Sequence, residues 1–120
     1  MSRNDALIDY IHELLTPLGA ISVRRMFGGY GIYHDGVMIG IVFDGDLFLK
    51  VDDATRPQFA AAGCRPFVYE SRGKQIETSY WSAPEEALDS PPAMLPWARL
   101  AYAAALRKAN AKPAGKPRKR

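Results

Sequence analysis

The sequence predicts an α+β domain in which an antiparallel sheet is covered by helices on one face. Three observations support this class. Apolar residues recur at helical spacing near both ends of the chain, whereas the middle of the chain alternates with a period of two. Short turn signals of the Asp-Gly type separate the alternating runs, as they do in β-hairpins. The predicted order of elements is α-β(3)-α-β(2)-α.

The first helix is predicted over about residues 4–16. Ser2 or Asn4 can cap its beginning, and Pro17 and Gly19 end it. Its apolar residues fall on one stripe, which is typical of a helix packed against a core. The members of this stripe are Leu7, Ile8, Ile11, Leu14, Leu15 and Leu18.

A meander of three strands is predicted next. Residues 22–34 alternate as one strand that is interrupted by glycines. Asp35-Gly36 is the signal of a two-residue hairpin turn, because both turn positions require positive φ. Residues 37–43 form the second strand, apolar enough to be central in the sheet, and residues 46–51 form the third. Tight turns therefore join all three strands.

A short helix and a second hairpin follow the meander. Asp52 or Asp53 can cap the helix, with Phe59 facing inward. Pro66 opens a strand that runs to Ser71, and Lys74 to Trp81 forms its partner strand after an Arg-Gly turn.

The last part of the chain is predicted to be helical up to Ala109. The Ser-Ala-Pro-Glu-Glu segment at 82–86 is typical of a helix start, and a longer helix follows from about Pro92. Residues 110–120 contain two prolines and a glycine without any apolar pattern. Because such a segment cannot offset its ordering entropy, we expect a domain over 1–109 and a disordered basic tail over 110–120.

Charge and composition narrow the possible partners and location. The chain of 120 residues has a net charge of +3, but six of its 16 basic residues lie from Lys108 onward and all 13 acidic residues lie before it. The remainder therefore carries a net −3, so the domain as a whole does not attract nucleic acid. Two interpretations of the tail stay open: a solvated, solubilising end, or the DNA contact of an accessory protein, made through phosphates and without base readout. The tail cations are Lys112, Lys116, Arg118, Lys119 and Arg120.

No apolar run approaches the ~20 residues of a membrane span, and the N-terminus lacks a signal peptide's apolar stretch. The single Cys64 cannot form an internal disulfide. Together these features favour a soluble protein in the reducing cytoplasm, with no membrane contact.

A series of motifs resembles the N-terminal domain of the TfoX/Sxy family over about residues 5–108. The resemblance implies an α+β fold of the secretion-chaperone-like class. It also implies a non-enzymatic regulator of natural competence and DNA transformation, acting with a cyclic-AMP-receptor-type transcription activator. Fuller family members carry a second, helix-hairpin-helix-like domain where this sequence has its basic tail. The motifs are Arg24-Arg25-Met26-Phe27-Gly28-Gly29-Tyr30-Gly31-Ile32-Tyr33, Asp35-Gly36-Val37-Met38, Asp46-Leu47-Phe48-Leu49-Lys50, Pro66-Phe67-Val68-Tyr69, Ser79-Tyr80-Trp81-Ser82-Ala83-Pro84-Glu85-Glu86-Ala87-Leu88 and Trp97-Ala98.

The first motif concentrates charge, aromatic surface and backbone freedom, and we predict a partner-binding surface around it. Its predicted members are Arg24, Arg25, Met26, Phe27, Gly28, Gly29 and Tyr30, with Lys50, Tyr80 and Trp81 nearby if the hairpins share a face.

Structural explanations of the same motif stay open. One arginine can lie in solvent while the other pairs with a carboxylate such as Asp44, Asp46 or Glu77. The glycines can mark a bulge or close packing, or their N–H groups can bind a small anion. The motif lacks the lysine and following helix of a phosphate-binding P-loop.

Signals of catalysis are weak, so we predict no enzymatic activity, no cofactor and no metal. His12 and His34 have no partner at metal-ligand spacing, and Cys64 has no visible acid–base partner. Because open sheet edges need covering, we also expect a homodimer.

Overall fold

The computed structural model describes residues 3–26 and 28–114. It confirms the α+β class: the strands form one antiparallel sheet of six, in the order β1-β2-β3-β4-β6-β5. No helix within the described ranges is both long and apolar enough to cross a bilayer. In chain order the elements are α1 (Arg3–Leu14), β1 (Ser22–Met26), β2 (Gly29–His34), β3 (Val37–Phe43), β4 (Asp46–Lys50), α2 (Arg56–Ala61), β5 (Pro66–Ser71), β6 (Lys74–Ser82), a 3₁₀ helix (Glu85–Asp89) and α3 (Pro91–Ala114).

The predicted first strand over 22–34 is wrong, because this segment forms two antiparallel strands. Met26 pairs with Gly29 across a tight turn, in which Gly28 has a φ of 79°. The period of two continues on both sides of the turn, so the glycines suggested an interruption within one strand. The first group therefore contains four strands and the order is α-β(4)-α-β(2)-α. Phe27 lies outside the described residues.

The other hairpins form where the turn signals predict them. Both residues have positive φ in the turns at Asp35-Gly36, Asp44-Gly45 and Arg72-Gly73. This is the backbone geometry of type I′ turns, whose twist matches that of the flanking strands. The local turn chemistry therefore sets the pairing of β2 with β3, of β3 with β4 and of β5 with β6.

Helix ends differ from the predictions in two places. The helix start at 82–86 leads into the 3₁₀ helix at Glu85–Asp89, and α3 begins at Pro91 and ends at Ala114. Residues 110–114, predicted as tail, are therefore helical. Alanine-rich sequence favours helix continuation, and Asn110 alone does not end the helix. The tail cations Lys116, Arg118, Lys119 and Arg120 lie outside the described residues.

The hydrophobic core lies between one face of the sheet and the two long helices. Ile32, Val42 and Leu49 from the sheet are fully buried together with Ile11 of α1 and Met94 of α3. Small side chains along α3, including Ala98, Ala101 and Ala105, bring its backbone close to β3 and β4. The opposite face of the sheet contains a groove whose described lining residues all belong to strands.

Candidate functional site

The two adjacent arginines lie on opposite faces of the sheet. Arg24 pairs with Gly31 and Arg25 pairs with Tyr30 in the β1–β2 ladder, and neighbouring residues of a strand point to opposite sides. The Arg24 guanidinium carbon lies 5.2 Å from the centroid of the Tyr33 ring, on the open face. That of Arg25 lies 5.7 Å from the Tyr30 centroid, on the helix-covered face.

Both arginines make cation–π contacts with tyrosine rings. Among the ion pairs between described residues, none involves Arg24 or Arg25. The pairing of one arginine with Asp44, Asp46 or Glu77 stays a prediction. A guanidinium over a tyrosine ring is attracted by the negative face of the aromatic ring.

The side chains of Arg25 and Tyr30 belong to a polar corner beside α1. The Tyr30 hydroxyl donates a hydrogen bond of 2.6 Å to Asp5 Oδ1, which ties β2 to α1. This bond to a carboxylate raises the pKa of Tyr30. A cleft of about 520 Å³ lies here, lined by Asn4, Asp5, Arg25 and Gly28 among others. Because a carboxylate and a guanidinium share it, the cleft does not favour a simple anion.

Backbone geometry and close packing account for the glycines of the motif. Gly28 supplies the positive φ of the β1–β2 turn. A Cβ atom on Gly29 would lie 2.1 Å from the Val42 carbonyl oxygen. A Cβ atom on Gly31 would lie 2.7 Å from the sulfur of Met26 and 2.9 Å from that of Met38. Close packing therefore explains Gly29 and Gly31, and the irregularity in the ladder falls beyond the glycines, after Ile32.

The open face carries an apolar groove of about 390 Å³. Residues from β1, β3, β5 and β6 line it, and most of its surface is carbon and sulfur. The Phe67 ring packs 5.3 Å from the Phe43 ring and 5.0 Å from the Phe48 ring, measured between centroids, and so forms one wall. We call this surface the open-face groove; it is lined by Met26, Met38, Ile41, Phe43, Phe67, Tyr69, Glu70, Thr78 and Tyr80.

Tyr80 links this groove to a buried lysine at the end of β4. The ammonium of Lys50 lies 5.0 Å from the centroid of the Tyr80 ring and donates a 2.6 Å hydrogen bond to Ser79 Oγ. Burial raises the pKa of Tyr80 to about 12, with a smaller rise from the nearby Tyr33. Tyr80 is therefore a neutral phenol at physiological pH. Burial, and then the charge of Lys108, lower the pKa of Lys50.

The predicted site residues separate into two groups. Met26 and Tyr80 line the open-face groove, and Arg24 lies on the same face over Tyr33. Lys50 contacts Tyr80 but lines two clefts beside the end of α3. The side chain of Trp81 points the other way, because Trp81 pairs with the core residue Leu49 and packs against the core. Arg25 and Tyr30 share that helix-covered side, while Gly28 and Gly29 form and follow the turn. The sequence analysis expects Tyr80 near the first motif if the two hairpins share a face of the sheet. Met26 and Tyr80 meet this condition, because both line the open-face groove.

Sequence reasoning missed most of the groove. Its additional residues are Met38, Ile41, Phe43, Phe67, Tyr69, Glu70 and Thr78. The available signal was the composition of β3, whose sequence Val-Met-Ile-Gly-Ile-Val-Phe is apolar at alternate positions of both faces. Since the predicted helices cover one face of the sheet, the second apolar face of such a strand is left without a covering layer.

The contacts of His34 and the burial of Cys64 are typical of residues with a structural role. His34 Nδ1–H donates to the Ala20 carbonyl at 2.7 Å, and its ring meets Tyr102 edge to face. Burial raises the pKa of the Cys64 thiol, which keeps it protonated. Within residues 3–26 and 28–114, no three His, Cys, Asp or Glu side chains are placed to hold a metal ion.

An antiparallel sheet with helices on one face and an apolar groove on the other defines a small α+β domain with an uncovered sheet surface. The sequence profile of the TfoX N-terminal domain matches residues 13–105, so the chain belongs to this family. The predicted resemblance is thereby confirmed.

The chain is also similar to DNA transformation protein TfoX1 of Aliivibrio fischeri (strain ATCC 700601 / ES114), with 27% identity over 83 residues. The match covers 69% of this chain and 40% of that protein, so the chain spans well under half of its relative's length.

Proposed function

We propose that this chain is a non-enzymatic regulatory domain of DNA transformation that acts by binding a protein partner, a transcription activator of the cyclic-AMP-receptor type. Membership of the TfoX N-terminal domain family and similarity to a DNA transformation protein support a role in DNA transformation. The observation that carries protein binding is the open-face groove, an apolar surface that no helix of the described chain covers.

The composition of the groove suits a protein ligand. Large exposed apolar surfaces mark interaction sites on soluble proteins, and methionine and aromatic side chains adapt well to a partner's apolar groups. Tyr69 is 46% exposed at the rim of the groove, although it is a large aromatic residue. Arg24 lies on the same face, over Tyr33, where it can meet an acidic group at the edge of an apolar contact. The proposed ligand is therefore a partner segment with apolar side chains and a flanking carboxylate.

A pair of neighbouring substitutions on β5 tests this proposal. Tyr69 faces the groove, whereas Val68 is 41% exposed and points to the opposite side of the same strand. Tyr69→Glu places a charge in an apolar contact and should weaken binding of the purified activator by at least ~10-fold. Val68→Glu adds the same charge at similar exposure and should leave binding unchanged. Affinity is measured by calorimetry, with circular dichroism to establish that both variants fold.

Substitutions of the two arginines test the same proposal independently. Arg24→Ala should weaken activator binding, while Arg25→Ala should not, because the Arg25 side chain lies in the polar corner beside α1. The opposite result would move the partner surface to the cleft of Asn4, Asp5 and Gly28. An activator that binds wild type, Tyr69→Glu and Arg24→Ala with equal affinity would contradict the groove.

A further inference from the structure

A buried lysine beneath the last turns of α3 makes no ion pair with a carboxylate among the described residues. Lys50 is 8% exposed, and its ammonium has three N–H donors. Within the described part of the chain, Ser79 Oγ is the one acceptor in hydrogen-bond range of Nζ, at 2.6 Å. Buried charges in proteins are normally paired. The two remaining donors are therefore available to a ligand.

The acidic side chains nearest to Lys50 bind other residues. The Asp52 carboxylate accepts hydrogen bonds from Arg107 at 2.6 and 3.0 Å. Asp53 pairs with Arg56 at 2.6 Å. These two Asp–Arg pairs are electrically balanced. Lys50 and the neighbouring Lys108 therefore give this part of the surface a net positive charge.

Two adjoining clefts meet at Lys50 and Lys108. The first has a volume of about 330 Å³, and Asp52, Asp53, Ser79 and Arg107 are among the residues that line it. The second has a volume of about 320 Å³ and is lined by Val37, Met38 and Tyr80. A ligand that places an anionic group in the first cleft can lay an apolar or planar group in the second.

We propose that Lys50, Ser79 and Lys108 bind the phosphate group of a small phosphate monoester, with its organic part against Tyr80 and Met38. Lys50 donates its free N–H groups to the phosphate oxygens. The Ser79 hydroxyl accepts from Lys50 and donates its own hydrogen to the same anion. Lys108 adds a second, solvent-exposed positive charge. The phosphate-binding residues Lys50, Ser79 and Lys108 do not line the open-face groove, whereas Met38 and Tyr80 line both the groove and the second cleft.

The test is an NMR titration of the isotopically labelled full chain with adenosine 5′-monophosphate. Saturable shifts should appear at the amides of Lys50, Ser79 and Tyr80. Lys50→Met keeps the length of the stem and removes the charge, and should weaken binding at least ~10-fold. Lys74→Met is the matched control: it removes one positive charge from an exposed position at the start of β6 and should leave the affinity unchanged.

Two companion probes identify the group that is recognised. Adenosine without phosphate should bind far more weakly than the monophosphate, and inorganic phosphate should shift the same amides at higher concentration. If Lys50→Met fails to fold, Ser79→Ala and Lys108→Met provide the comparison, each with a several-fold loss expected. The absence of saturable shifts in the wild type, equal binding by Lys50→Met, or equal binding of adenosine would each overturn the proposal.

Discussion

The two faces of the sheet are built from alternate residues of the same strands, yet they have different surroundings. On the helix-covered face, Ile32, Val42 and Leu49 are fully buried under α1 and α3. On the open face, Met38, Phe43 and Tyr69 surround a groove that no helix of the described chain lines. The first face stabilises the fold, because its apolar area is removed from water. The second face keeps apolar area in contact with water, which is the feature of an interaction surface.

In the family motif, the two members of the Arg-Arg pair and of the Gly-Gly pair also have different surroundings. Arg24 belongs to the open face and Arg25 to the polar corner at α1. Gly28 serves the turn, whereas Gly29 makes room for the backbone of β3. Residues that are adjacent in sequence therefore have separable roles, and paired substitutions can distinguish them.

The largest expected effect on stability comes from the helix-covered face. Leu49→Ala should lower the free energy of unfolding by roughly 2–5 kcal/mol, because it opens a cavity in the core. Met38→Ala removes a half-buried side chain of the open face and should cost about 1 kcal/mol. Urea unfolding followed by circular dichroism measures both. Equal losses for the two variants would mean that the two faces do not differ as described.

A smaller difference in the free energy of unfolding is expected between substitutions of Gly29 and Gly28. Gly29→Ala forces a Cβ atom against the Val42 carbonyl oxygen and should cost about 2–3 kcal/mol. Gly28→Ala meets no heavy atom within 4 Å and carries only the penalty of a positive φ, roughly 1–2 kcal/mol. The same unfolding assay ranks them. A more damaging Gly28→Ala would contradict the close approach of β2 to β3.

The smallest expected effect on stability comes from removing the surface ion pair between Asp52 and Arg107. Hydrogen bonding from Arg107 lowers the pKa of Asp52. A carboxyl group with a lowered pKa stabilises the fold above its unfolded pKa of ~4, and this contribution is lost as the pH falls through the folded pKa. Arg107→Met should therefore reduce the urea midpoint at pH 7 more than at pH 3. A loss of the same size at both pH values would show that Arg107 acts through packing of its stem.

The sequence was sufficient for the fold class because its strongest signals are local. Asp35-Gly36 and Asp44-Gly45 require positive φ, so they specify hairpins without any knowledge of tertiary contacts. The turn at Gly28 was missed because a glycine within alternating residues also fits a bulge. The end of α3 was misplaced because alanine-rich helices continue through residues such as Asn110.

The groove was harder to predict than the fold, since it depends on contacts between distant strands. Met26 is brought beside Met38 by the β1–β2–β3 pairing, and Phe67 is brought beside Phe43 across β4 and β6. No local pattern encodes such neighbours. Lys50 was recognised as a site residue from the motif, but its burial and its bond to Ser79 follow from the pairing of β4 with β6.

The most direct test of the open-face groove uses its own methionines. Met26 and Met38 line the groove, whereas Met94 is fully buried in the core on the other side of the sheet. In a chain with ¹³C-methyl-labelled methionine, titration with the transcription activator should shift or broaden the Met26 and Met38 methyl signals and leave that of Met94 in place. A complex that forms while the Met26 and Met38 signals stay unchanged would contradict the central claim that the open face is the partner surface.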